Sequence, residues 1–281
     1  MPLNTIDDLL KYPKESLVDP TAQAEALSRI YDTWLEKAGE YEPDRKEGIH
    51  ASEVAGCPRK LIYALQGTPR EKNVPKNWRQ RFQLGHAIHA WIQKDFHKMA
   101  EASGGALLFE DEVKIAPELQ DLARFWGIQS STDGVFTFRE AIGEEAGEPV
   151  WRDVLRVILE IKSEAPDGYE KLKEPKPDHV EQAHVYMACL DVPLTWFLYI
   201  NKANSNNTQS NGPWLIQFDH HLWHSMEKRF EEAQRMVAEG IMPDRKEGIY
   251  CEFCAFRKTC KPPYITKKTR PAFSTMRTNK P

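Results

Sequence analysis

The chain has 281 residues, 41% of them hydrophobic and 10% aromatic, with a formal net charge of −4. That much apolar and aromatic material supports a buried core and excludes a globally disordered chain. The mildly acidic balance excludes an overall field that would draw in nucleic acid, leaving the task to local patches such as the stretch from Arg257 onward, with eight Lys or Arg and no Asp or Glu.

Residues 1–47 read as a helical arm, with Ala22–Ala38 amphipathic and a turn at Glu42-Pro43-Asp44. Met1–Pro20 contains acids and no apolar run of the signal-peptide kind, and the longest apolar stretch, near Val192–Ile200, is far too short to span a bilayer. A soluble, cytoplasmic protein is expected. Ser52–Leu65 reads as a helix, with Ser52 as N-cap and Leu61, Ile62 and Leu65 as its apolar stripe. Arg79–Ala100 is a stronger helix, with Phe82, Ile88, Trp91, Ile92 and Phe96 expected on its core face. Glu110–Ile115 alternates like a strand. Ile128–Phe138 and Val154–Lys162 are β-rich runs on either side of the acidic segment Glu140–Pro149, which predicts a long hairpin. Pro177–Leu190 reads as a helix, Leu194–Ile200 as a buried strand, Asn204–Gly212 as a turn, Trp214–Phe218 as a strand and His221–Glu239 as a closing helix. Residues 265–281 form a basic tail without a regular pattern. Helix, three strands, helix, strand is an α/β order.

Two acidic positions need a chemical reason. Asp133 stands inside the strand-like run Ile128–Phe138, where Asp is a poor β-former, and Gly134 follows it. In Glu160-Ile161-Lys162, alternation puts Glu160 and Lys162 on one face and Ile161 on the other. A carboxylate and an ammonium on a half-buried face are costly unless they serve each other or a metal ion. Asp133 and Glu160, with the Ile161 carbonyl, suit Mg²⁺ or Mn²⁺, and Lys162 is then placed to orient a water or stabilise phosphoryl charge. Taken alone, the Glu160–Lys162 pair also fits a surface charge ladder on a strand edge. Gly85 and His89 share a helix face, so a backbone can approach at Gly85 while His89 points at the same ion. Gln182 and Tyr186 share a face of the later helix and offer amide, hydroxyl and ring to a nucleic-acid strand. Core packing is the plainer role for Tyr186.

Five cysteines are present. Cys251, Cys254 and Cys260 have the spacing C-x₂-C-x₅-C, and Cys57, in Cys57-Pro58-Arg59-Lys60, lies 194 positions before Cys251. In a reducing compartment such a set reads as metal or cluster binding before it reads as disulfide. From spacing alone, an iron–sulfur cluster and zinc are equally open. Cys189 is left over, as a small buried hydrophobe.

Taken in order, G-x₃-H, D-G, E-x-K and Q-x₃-Y, flanked by the cysteines, resemble the PD-(D/E)XK nuclease superfamily. More narrowly they resemble RecB-like exonucleases with an iron–sulfur cluster, a group that includes the AddB nuclease domain and CRISPR-adaptation exonucleases. The resemblance covers about residues 50–262. It implies a restriction-endonuclease-like core, a mixed central sheet flanked by helices, with its ends joined by a four-Cys [4Fe–4S] cluster on Cys57, Cys251, Cys254 and Cys260. His89, Asp133, Glu160 and the Ile161 backbone would hold Mg²⁺ or Mn²⁺. Lys162 would be the catalytic lysine, and Gln182 and Tyr186 would hold the strand near the scissile phosphate. Tyr199 and Lys202 match a position near the DNA. The domains would be an arm (1–47), a nuclease domain (48–264) and a tail (265–281). The expected activity is exonucleolytic hydrolysis of DNA, on single strands or duplex ends, in repair, recombination or CRISPR adaptation. The alternatives are a non-catalytic DNA-binding module and a zinc-stabilised scaffold.

Overall fold

The computed structural model describes residues 47–71, 76–203, 214–245, 251 and 254–260, together with Ser28. Nearly all of the expected arm, the turn at Asn204–Gly212 and the basic tail lie outside the described residues. No helix among those described is long and apolar enough to cross a membrane.

After a short 3₁₀ turn at Ala51–Glu53, the first helix is α1 (Pro58–Leu65). It starts five residues later than the Ser52 N-cap predicts. The reason is Pro58: proline is favoured at the first helical position, but it forces the residue before it out of the helical region. Cys57 is extended accordingly, with φ −66° and ψ 130°. The long helix α2 spans Lys76–Ala102. Ile92 is buried on it and Ile88 and Phe96 pack on the core, but Phe82 is 48% and Trp91 45% exposed, so they do not belong to the buried face.

The strand expected at Glu110–Ile115 is two strands, β1 (Leu107–Asp111) and β2 (Lys114–Ile115). Glu112 sits between them with φ 47°, which no strand can contain. A short helix α3 (Asp121–Trp126) leads to β3 (Ser130–Ser131), which pairs with β2 in a small separate sheet. β4 (Gly134–Glu145) and β5 (Glu148–Glu164) form the long hairpin, and the segment 140–149 is part of its arms. Its tip is Ala146-Gly147, both with positive φ (52° and 87°), the two-residue turn whose twist matches antiparallel strands.

A short helix α4 (Pro166–Glu170) and then α5 (Pro177–Leu190) cross over to β6 (Leu194–Asn201), which pairs parallel to β5. β7 (Trp214–Gln217) pairs antiparallel to β6, and α6 (His220–Glu239) closes the fold. Asp219 caps α6 by accepting from the His221 and Leu222 amides at 2.8 and 3.3 Å. The last described helix is α7 (Arg257–Cys260).

The result is a mixed α/β fold: a five-stranded sheet in the order β1-β4-β5-β6-β7 with helices on both faces. One core lies between the sheet and α1, α5 and α6, and includes Ile62, Ile158, Val185, Phe197 and Phe230. The other lies under α2 and includes Ile92, Phe109, Phe136, Leu159 and Ile161. Successive residues of β5 therefore go to opposite cores, and this alternation sends Glu160 one way and Ile161 the other.

Candidate active site

All the acid, lysine and glutamine positions singled out in the sequence line one cavity of about 770 Å³. It opens where β5 ends, with α2 on one side and α5 on the other. His89 comes from α2, Glu160, Ile161 and Lys162 from β5, and Gln182 and Tyr186 from α5. Arg81, Lys114 and Lys202 bring positive charge to the same walls.

Asp133 is not inside a strand. It occupies the bend between β3, in the small sheet, and β4, in the large one. The bend accounts for the poor β-former. Asp133 Oδ2 accepts from the Ile161 amide at 2.6 Å, and Oδ1 lies 3.0 Å from His89 Nδ1. Gly134 follows because nothing larger fits: a Cβ there would stand 2.5 Å from Phe109 Cε2 and 3.1 Å from the Glu110 carbonyl oxygen. Gly85 is different. A Cβ there would meet only Ser163 Oγ, at 3.6 Å, so the expected close approach of a backbone does not occur.

Glu160 is 2% exposed. Its Oε1 receives the Lys162 ammonium at 2.7 Å, while Oε2 is buried without a hydrogen-bond partner. Burial pushes the carboxyl up to about 7, against the pull of Lys162. For Lys162, burial disfavours the charge, but Glu160 outweighs it and holds the pKa above the ordinary lysine value. Burial also works against the His89 imidazolium, yet its hydrogen bond to Asp133 and the nearby carboxylates raise its pKa overall. Lys162 also donates to Gln182 Oε1 at 2.9 Å, and Gln182 Nε2 donates to the Tyr186 hydroxyl at 2.7 Å. The i, i+4 pair on α5 is thus a strut behind the lysine.

Tyr199 is not at the cavity. It is fully buried, and its hydroxyl is engaged with His179 Nδ1 at 2.6 Å and the Lys176 amide at 3.2 Å. The residue that reaches the cavity is His179, which the sequence pattern did not single out. Its position three before Gln182 on α5 was the available signal. Burial, with Lys162 and Lys176 nearby, pushes its pKa down to about 2, so it is neutral.

Do these groups suit a divalent cation? Among the described residues, no three His, Cys, Asp or Glu side chains stand as a ready ligand set. Asp133 already spends both oxygens on protein donors. Glu160 Oε2 is the fitting feature: a buried carboxylate oxygen with no donor is costly, and a hard cation beside it would remove the cost.

The second cysteine-bearing region lies away from this cavity. None of the five cysteines is in a disulfide. Cys57 occupies the N-cap position of α1 without a side-chain hydrogen bond, and burial raises the pKa of the Cys254 thiol. The Arg59 guanidinium is pinned by the Pro243 carbonyl at 2.7 Å and donates to Cys260 Sγ at 3.6 Å. The two chain regions are also joined without any metal. Phe256 is fully buried, 5.3 Å from the Tyr63 ring and under the Arg70 guanidinium, and the Glu71 amide donates to the Ala255 carbonyl at 2.8 Å. Among the described residues, no three of these thiols stand as a ready ligand set either. Cys189 is buried, its thiol pushed up to about 12 by that burial.

No protein-family model matches the chain, and no curated protein matches it. Solved structures with a similar fold include SSO0001, at 15% identity over 83% of this chain and 96% of that one, with a TM-score of 0.48. An alkaline exonuclease, LHK-Exo, from Laribacter hongkongensis is similar at 17% identity over 76% of this chain and 94% of that one, with a TM-score of 0.45. The same enzyme in complex with dAMP is similar at 18% identity over the same shares, with a TM-score of 0.43.

Proposed function

We propose that this chain is a divalent-cation-dependent deoxyribonuclease that hydrolyses phosphodiester bonds, acting as an exonuclease on single strands or duplex ends. The observation that carries the reading is the meeting of Asp133, Glu160 and Lys162 at one cavity, with Glu160 Oε2 buried and lacking a donor. Asp133 and Glu160 would hold Mg²⁺ or Mn²⁺, with His89 and the Ile161 carbonyl completing the set and the His89–Asp133 hydrogen bond giving way. Such a cation acidifies a bound water and neutralises phosphoryl charge.

The protein's own groups do the rest. Lys162, locked between Glu160 and Gln182, presents a fixed ammonium to the attacking water and to the developing charge on phosphorus. A bond forms between the water oxygen and phosphorus, the ester bond to the leaving oxygen breaks, and the water proton ends on that oxygen. Tyr186, buried with its hydroxyl held by Gln182, braces the lysine from behind, and Arg81, Lys114 and Lys202 are contacts for the phosphates of the strand. The choice of DNA rests on the resemblance of the ordered motifs.

On the cysteine side, a [4Fe–4S] cluster on Cys57, Cys251, Cys254 and Cys260, with zinc as the rival, would tie the two ends of the domain together. Its role is structural, since these residues lie outside the cavity.

Labelled single- and double-stranded DNA, and RNA of the same sequence, would be incubated with the protein and Mn²⁺, Mg²⁺ or EDTA. Cleavage of DNA with Mn²⁺, lost in EDTA and in Lys162→Ala, is expected. Binding without cleavage would favour a DNA-binding module, and a Lys162→Ala variant as active as wild type would remove the mechanism.

A further inference from the structure

Gln93 lies one helical turn beyond His89 on α2 and is only 7% exposed. Its Nε2 donates to the Asp133 main-chain carbonyl at 2.8 Å and to Glu112 Oε1 at 3.3 Å. Glu112 in turn accepts from Ser131 Oγ through Oε2 at 3.0 Å. One amide therefore ties together three things: the long helix, the kink at Glu112 that ends β1, and the bend that carries Asp133. That bend lies between two different sheets, where the Thr132 amide donates to the Val113 carbonyl at 3.0 Å and the Asp133 carbonyl accepts from Gln93.

We propose that Gln93 is a positioning residue for Asp133, fixing the main chain of the bend so that the carboxylate meets both His89 and the Ile161 amide. In doing so it sets the affinity of the acidic site for a divalent cation, a consequence that rests on the function proposed above. His89 and Gln93 divide the work. The first holds the Asp133 side chain and the second its backbone, both from one face of α2. Without the Gln93 donor the carbonyl loses its partner and Glu112 loses the link that faces it. The bend can then relax, and a carboxylate that must be held to within about 0.5 Å drifts. Groups that orient ligands in this way typically change metal affinity by about 10–100-fold.

The test uses the full-length protein. Gln93→Met keeps the side-chain length and removes the donor. Ile92→Val, at the adjoining buried position, loosens the same helix without touching the bend. The first measurement is made in EDTA, on the Ile161 amide, whose 2.6 Å bond to Asp133 predicts a downfield, slowly exchanging proton resonance. In Gln93→Met this resonance should move upfield and exchange roughly 10-fold faster. In Ile92→Val it should stay in place. The second measurement is the Mn²⁺ dissociation constant by calorimetry, expected to weaken by about 10–100-fold in Gln93→Met alone. An unchanged Ile161 amide in Gln93→Met overturns the proposal, and so does an equal change in Ile92→Val. A wild-type protein that binds no Mn²⁺ overturns the affinity claim and the divalent-cation reading, while the Ile161 resonance still decides whether Gln93 positions Asp133.

Discussion

Glu160 and Lys162 stand on the same face of β5, Oε1 to Nζ 2.7 Å, in a setting that gives Glu160 one counterion and leaves its second oxygen with none. Removing the lysine therefore affects two properties separately. Lys162→Met should lower cleavage by at least about 10²-fold, the scale of losing one donor to transition-state charge. Its stability should also become pH-dependent in a defined direction. The folded Glu160 carboxyl is raised above its ordinary 4.5, and losing Lys162 raises it further. The folded state then binds the proton more tightly than the unfolded state, so stability is fully present below about 4.5 and is lost as pH rises through the folded value. Thermal melts should show the gap between wild type and Lys162→Met widening above about pH 7, where the wild-type carboxyl ionises and the variant's still holds its proton.

His179 has the opposite sign. Its folded pKa is pushed down to about 2, so between that value and 6.5 the unfolded chain takes up a proton that the native state refuses. Stability is lost as pH falls through this window, at about 1.4 kcal/mol per pH unit for one proton. His184 is also lowered and adds to the same limb. Denaturant titrations at several pH values should show His179→Gln flattening the acid limb by about one proton. A slope equal to wild type would mean that His179 is not buried neutral.

Gly134→Ala should cost about 1–3 kcal/mol, because its Cβ would enter the Phe109 ring and press on the Glu110 carbonyl. The next residue back is Asp133, so activity should fall more than stability does. Adding Phe109→Leu makes room on the ring side, and chemical denaturation of the double variant should show a loss smaller than the sum of the two singles.

A protein purified without oxygen should be brown if the four cysteines hold a cluster and colourless if they hold zinc. In either case Cys251→Ala should lose the centre and lower the melting temperature. The loop it closes restrains the unfolded chain by on the order of 5 kcal/mol if the disulfide relation carries over. The Phe256, Tyr63 and Arg70 contacts still hold the two ends together, so folding should survive the substitution. A melting temperature equal to wild type would show that no centre restrains the ends.

Much of the architecture was legible. The bounds of α5 are those read from sequence, because Pro177 marks a first helical turn and the apolar run ends at Leu190. β6 and the closing helix match within a residue, while the hairpin is where it was expected but its strands run six or seven residues further toward the tip. The misses have local causes. Ser52 was overruled by Pro58, and the Glu110–Ile115 strand by the left-handed backbone at Glu112. Phe82 and Trp91 have the right period for a buried stripe, but α2 lies on the sheet through Ile88, Ile92 and Phe96. Helical periodicity states which residues share a face and leaves open which face meets the sheet.

The same division runs through the site. Strand alternation is a property of the backbone, so the sequence by itself determined that Glu160 and Lys162 emerge together and that Ile161 goes to the other core. Helical spacing likewise determined that Gln182 and Tyr186 act as a pair. Only the tertiary structure decided that Asp133 turns at a bend to meet His89 and the Ile161 amide, that Gln93 holds that bend from behind, and that Tyr199 faces the core while His179 reaches the cavity. Those contacts join residues from separate helices and sheets. They arise from how the elements pack, and no local repeat in the chain encodes the packing.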